Sequence, residues 1–163
     1  SMKFEVGVHP GYDSVEKEEL KSEIKILANI TGKEIISGRQ HFLKFRLPET
    51  YESLYAAGIR KEYSMGYSDE TGFRAGIAFP FNWFNLEKEI ETDLEIIPFC
   101  IMDVALQHFQ NLNPEEAIQH SLEIKKAVND CNGFFSFVFH NESLSETNQW
   151  VGWRPVFEFL LSE

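Results

Sequence analysis

Cysteine is scarce: Cys100 and Cys131 are the two in a chain of 163 residues. They share no motif. Cys100 falls in an apolar run and Cys131 at an expected helix end, so both read as plain thiols and no disulfide framework is indicated. Long hydrophobic stretches are missing too. No run approaches the roughly 18 apolar residues that a membrane span needs, and no secretory leader is visible. A membrane is therefore not an expected partner, and a cytoplasmic setting is favoured. Ser1 ahead of Met2 is read as a residue left by tag removal. Basic residues are few, 15 Lys and Arg against 26 Asp and Glu, for a net charge of −11. That field repels phosphate backbones and anionic lipid, so nucleic acid is not an expected partner either. Also lacking are a phosphate-cradling glycine loop, a Ser nucleophile elbow and a clustered CxxC pattern. No internal repeat, low-complexity tract or long linker divides the chain, and residues 1–163 are expected as one domain.

What is present is an apolar, Phe-rich chain: 43% hydrophobic, with 15 Phe. Phe4 to Val8 predicts a strand. Asp13 or Ser14 then caps a helix, with Glu16 completing a capping box after Asp13. Leu20, Ile24 and Leu27 supply its buried stripe, and Thr31-Gly32-Lys33 ends it. A short strand over Glu34 to Ser37 leads into the polar loop Gly38-Arg39-Gln40-His41-Phe42. Pro48 opens a helix over Glu49 to Ala57, which Gly58 terminates. A third strand lies within Ile59 to Tyr67, and a turn at residues 68–72 precedes the short run Phe73 to Ile77. Residues 79–85, aromatic and interrupted by Pro80, predict a packed loop rather than a strand. Leu94 to Met102 predicts one buried strand, bulged or at an edge because of Pro98. A short helix follows over Val104 to Phe109. Asn113-Pro114-Glu115-Glu116 marks a strong helix start, running to about Asp130 and stopped by Asn132-Gly133. Phe134 to Phe139 predicts another buried strand, and Pro155 to Leu161 a last helix. Strands alternating with helices imply an α/β fold with a mostly parallel sheet.

Polar residues gather where those strands end. His9 follows the first, Arg39 and His41 the second, Asp103 the long apolar one, and His140 the last. In a parallel α/β fold the carboxyl ends of strands share one face, so these groups can form one pocket. Three imidazoles with an open fourth position suit a catalytic zinc-type site. Arg39 and Arg74 are candidates for an anion clamp or for an ion pair beneath a loop. Tyr12, Trp83, Trp150 and Trp153 lie in predicted loops, where an aromatic face can carry a sugar ring or pack into the core. His108 and His120 are expected on or near helices, facing solvent.

Read together, Glu5-Val6-Gly7-Val8-His9-Pro10, Leu27 to Lys33, Ser37-Gly38-Arg39 and Phe137-Val138-Phe139-His140 form an ordered set. That set resembles the polysaccharide deacetylase family, the metal-dependent carbohydrate esterases with a nodulation-factor-deacetylase-type domain. The strings His9-Pro10-Gly11-Tyr12, Arg39-Gln40-His41-Phe42-Leu43 and Phe73-Arg74-Ala75-Gly76 are similar to a divergent bacterial branch, and the likeness runs roughly from Phe4 to Leu161. The resemblance implies a distorted (β/α) barrel and a divalent metal, zinc or similar, that polarises the acetamide carbonyl of an N-acetylated sugar. It implies His9 as a metal ligand, with His41 and Asp13 as further candidates, and His140 as the acid that protonates the leaving amine. Arg39 then orients, and Asp103 falls near a residue supporting the base. Tyr12, Arg74 and Trp83 are candidates for holding the sugar.

The family's first motif, an Asp-Asp pair supplying the base, has no counterpart. Asp13 stands where its second motif has another histidine. The expected architecture is thus an incomplete barrel of the deacetylase type, without its first βα units and inactive alone, whose open edge a homodimer would cover. The alternative is a non-catalytic module on the same fold that binds a glycan or a partner surface.

Overall fold

Hydrophobic spacing decides most of the helices. In the computed structural model, which describes residues 4–14 and 17–162, the chain divides into two compact units. Residues 1–65 and 80–97 form the first, residues 66–79 and 98–163 the second. The expected capping box at Glu16 lies outside the described residues.

In the first unit, α1 (Lys17–Thr31) buries Leu20, with Ile24 and Leu27 packed beside it. Gly32 ends the helix at φ +65°, a left-handed conformation that costs glycine nothing. The chain continues through β1 (Ser37–Gly38), α2 (Glu49–Ala56) and β2 (Lys61–Glu62). An antiparallel hairpin of β3 (Phe81–Asn85) and β4 (Ile90–Ile96) completes the unit's sheet. The order across the sheet is β1-β2-β4-β3, with the first three strands parallel. The core gathers Val8, Ile35, Tyr51, Leu54, Ile59, Trp83, Leu94 and Ile96.

The second unit pairs β5 (Ile101–Met102) in parallel with β6 (Phe137–Val138). Between them run a π-helical turn, Ala105–Phe109, and α3 (Pro114–Asp130). The predicted start of α3 is present in full. Asn113 accepts a bond from the Glu116 amide at 3.0 Å, and the Glu116 carboxylate takes the Asn113 amide at 2.9 Å. The last helix, α4 (Arg154–Leu161), packs Val156 and Leu160 with Ile101, Leu106, Trp150 and Trp153.

The fold is mixed α/β with mostly parallel strands, and no closed barrel forms among the described residues. No helix among them is long and apolar enough to cross a membrane.

Several elements differ from expectation. The strand over Phe4 to Val8 shrinks to one parallel bridge, Val8 to Gly38. Residues 4–7 stay exposed and lack the buried face that fixes a strand. Phe81–Asn85 is a strand and not a loop. Pro80 sits just ahead of the first paired residue, where its missing N–H costs no ladder bond. The run Leu94 to Met102 is broken in two: β4 ends at Ile96 and β5 begins at Ile101. Pro98, with no N–H to donate, lies in the gap. The run Phe73 to Ile77 holds no strand.

Candidate functional site

Asp103 follows β5 directly and is fully buried. A carboxylate taken wholly from water needs its lone pairs filled. One oxygen, Oδ1, accepts the Val104 amide at 2.8 Å and His140 Nδ1 at 2.7 Å. The other, Oδ2, accepts the His140 amide at 2.6 Å and the Ser143 hydroxyl. Burial pushes the Asp103 pKa up, but the bonds from His140 and Ser143 outweigh it, and the net position is below the usual carboxylate value. Asp103 is therefore an anion at neutral pH, and an anion can only accept, so His140 Nδ1 carries the proton. The parallel pairing of β5 with β6 sets this geometry: Met102 pairs with Val138, and the two side chains follow one and two residues later. The His140 side chain is 49% exposed, so a ring fixed from below meets solvent. A carboxylate–imidazole pair of this kind moves protons through Nε2.

The first unit holds a second buried carboxylate, Glu62 on β2, with no exposed surface. Its Oε1 accepts the Ser64 amide at 2.9 Å and the Ser64 hydroxyl, and its Oε2 accepts the Tyr51 hydroxyl at 3.3 Å. Burial raises its pKa to about 7; the Ser64 and Tyr51 bonds and the Arg39 charge pull the other way. The Arg39 guanidinium donates Nε to the Tyr63 carbonyl at 3.0 Å. Its own pKa is lowered by burial, against the opposing pull of Glu62. Ser64 Oγ also accepts the Gln40 amide at 2.8 Å, which ties the loop after β1 to the end of β2.

That loop carries an aromatic cluster. His9 and His41 stack at 4.9 Å between ring centroids with planes 28° apart, and His9 Nδ1 bonds the Arg39 carbonyl at 2.9 Å. Tyr12 meets His41 and Phe42 edge-on at 6.2 and 5.9 Å. Lys44 Nζ lies 4.0 Å from the Tyr12 ring centroid.

The nine candidates from the sequence thus divide. His9, Tyr12, Asp13, Arg39, His41 and Trp83 belong to the first unit, and Arg74, Asp103 and His140 to the second. The structure brings His9 to His41 and Asp103 to His140. Asp13 lies in the exposed turn after Gly11, and Arg74 in the exposed segment 74–77. Trp83 is a correction: it is a core residue, buried on the inner face of β3 and set edge-on to Tyr51 at 5.5 Å, so it offers no sugar platform. Trp150 and Trp153 are buried likewise. His120 bonds the Thr71 hydroxyl at 2.9 Å.

The metal implied by the resemblance does not fit this arrangement. An imidazole ligand aims its lone pair in the ring plane at a metal about 2 Å away, and two stacked rings do not aim theirs at one point. No three His, Cys, Asp or Glu side chains gather as a metal-holding group among the described residues. Sequence reading passed over Glu62, Ser64, Ser143 and Phe42. For Glu62 and Ser64 the sequence carries no local signal, since both fall within the expected strand range Ile59 to Tyr67.

No family model matches the chain, no curated protein matches it, and no solved structure matches it.

Proposed function

We propose that the chain is a deacetylase-type hydrolase domain acting on an N-acetylated sugar, with His140 as the acid and Asp103 as the group that aims it. The observation that carries this reading is the buried Asp103 carboxylate, filled by four hydrogen bonds, one of them from His140 Nδ1. Amide hydrolysis adds water to the acetyl carbon, breaks its bond to nitrogen and leaves an amine that must gain a proton. An imidazolium held by an aspartate supplies that proton from Nε2, and the aspartate stabilises the charged ring between turnovers. Arg39, in the first unit, donates Nε to the Tyr63 carbonyl near Glu62, and no role at His140 is assigned to it. The mostly parallel strands support the incomplete deacetylase-type barrel as the fold implied. No step is assigned to a metal.

The test is a titration with an N-acetylated chito-oligosaccharide, followed by nitrogen NMR of the His140 ring. A shift at Nε2 with Nδ1 still protonated supports the reading; a ring that the sugar leaves unmoved overturns it. Acetate release that is lost in His140→Ala would extend it to turnover.

A second reading is favoured by a different observation. Tyr12 and Phe42 are exposed beside His41, as a module that binds a glycan without cleaving it would require. Sugar binding with no acetate released, unchanged by His140→Ala, supports that module.

A further inference from the structure

The loop after β1 carries a local excess of basic residues and two consecutive residues at positive φ. Between Glu34 and Glu49 there is no acidic residue, while Arg39, Lys44 and Arg46 supply three of the chain's 15 basic ones. In a protein of net charge −11 this is a local reversal of sign. Arg39 is turned inward to Tyr63, which leaves Lys44 and Arg46 as the exposed cations. Phe42 and Leu43 both hold positive φ, 53° and 52°, a left-handed conformation disfavoured for side chains of that size. The two residues point to different ends: Leu43 is buried and Phe42 is 76% exposed. The turn spends backbone strain to hold a phenyl ring in water.

Around that ring stand His41 at 4.6 Å and Tyr12 at 5.9 Å, with planes at 62° and 80° to it. Steep mutual angles leave no parallel slot for a flat base, and the His9 and His41 rings already stack on each other. Rings set edge-on form a corner that suits a puckered ring with C–H groups on its faces. The cation is placed for an acid on that ring, with Lys44 Nζ 4.0 Å from the Tyr12 centroid.

We propose that Tyr12, His41, Phe42 and Lys44 form a binding site for a sugar ring bearing a carboxylate, that is, a uronate residue of an acidic glycan. Phe42 and Tyr12 carry the C–H faces of the ring, and Lys44 pairs with the carboxylate. This rests on the carbohydrate reading above and adds an acidic residue to the N-acetylated glycan it names, but it is independent of proton transfer at His140.

Trigalacturonate, neutral chitotriose and anionic phosphatidylserine vesicles are titrated against the whole chain, by calorimetry and by NMR of the His41 ring. Trigalacturonate is expected to bind and to shift His41, with affinity falling at least 10-fold in Phe42→Ala and at least 5-fold in Lys44→Gln, and falling with added salt. Lys126→Gln, at an exposed cation of the second unit, is expected to bind as the native chain does. Both loop side chains are exposed, and circular dichroism of each variant checks that it is folded. No binding of trigalacturonate overturns the site. So does binding of equal strength in Phe42→Ala, and so does preference for vesicles over both sugars. Chitotriose binding that ignores Phe42 and Lys44 overturns it too, while leaving the general carbohydrate reading in place.

Discussion

At Asp103 four donors converge on one buried carboxylate. Asp103→Asn turns an acceptor-only group into one that presents N–H to other donors. Unfolding by urea is expected to show a loss of about 2–4 kcal/mol, and NMR the loss of the protonated Nδ1 state of His140. Because the folded carboxyl titrates below its unfolded value, its contribution is present above that value and is lost as pH falls through the lower, folded one.

Glu62 behaves in the opposite sense. Its folded pKa of about 7 lies above the ordinary 4.5. Between those values the folded chain holds a proton that the unfolded chain has released, so stability falls as pH rises through this window and levels off above it. Melting temperatures at pH 5 and pH 8, compared between native protein and Glu62→Gln, check this. The native protein is expected to lose more between the two pH values than the variant does. Neither carboxylate's burial was readable from sequence. Asp103 stood out only as a polar residue ending an apolar run, and Glu62 sits between Lys61 and Tyr63 with nothing local to mark it.

Helices were the legible elements. The stripe of Leu20, Ile24 and Leu27 and the Asn113-Pro114-Glu115-Glu116 helix start are local signals, and both became structure. Strands were less legible, since a two-residue parallel strand such as β1 or β2 owes its existence to a partner far along the chain. Pro98 interrupts its apolar run more deeply than a bulge would: it separates β4 from β5. The stretch after β4 then packs on residues 66–79. Gly72 donates to the Cys100 carbonyl at 2.8 Å, and a Cβ built on Gly66 would stand 2.3 Å from the Phe99 ring. Phe99 is buried and cannot swing away. Gly66→Ala is therefore expected to destabilise the fold by about 3 kcal/mol, through overpacking, and a thermal melt reads the loss. Alanine at Gly72 meets no atom within 4 Å but must adopt φ +105°, so strain alone sets its cost.

On the scale of the whole molecule, the sheet of the first unit has an edge beside residues 4–8. Phe4 and Val6 are exposed there along an open groove of about 340 Å³, shared with Lys33, Ile36 and Lys61. Exposed backbone with apolar side chains is a pairing surface, and a homodimer that covers it is the expected state. Light scattering at micromolar concentration checks this, and Val6→Lys is expected to shift the population toward monomer; a monomer at all concentrations rules the dimer out. The division of the chain has a consequence of another kind. Each unit is made of two stretches of sequence, with boundaries at 65/66, 79/80 and 97/98. On a ribosome, the first unit cannot close until residue 97 has emerged, and residues 66–79 must wait for residues 98–163. No single cut in the gene releases either unit intact. Shortening from the carboxyl end past α4 would leave residues 66–79 made but without the core they were waiting for, and such products are expected to be cleared or to aggregate rather than to persist as smaller proteins.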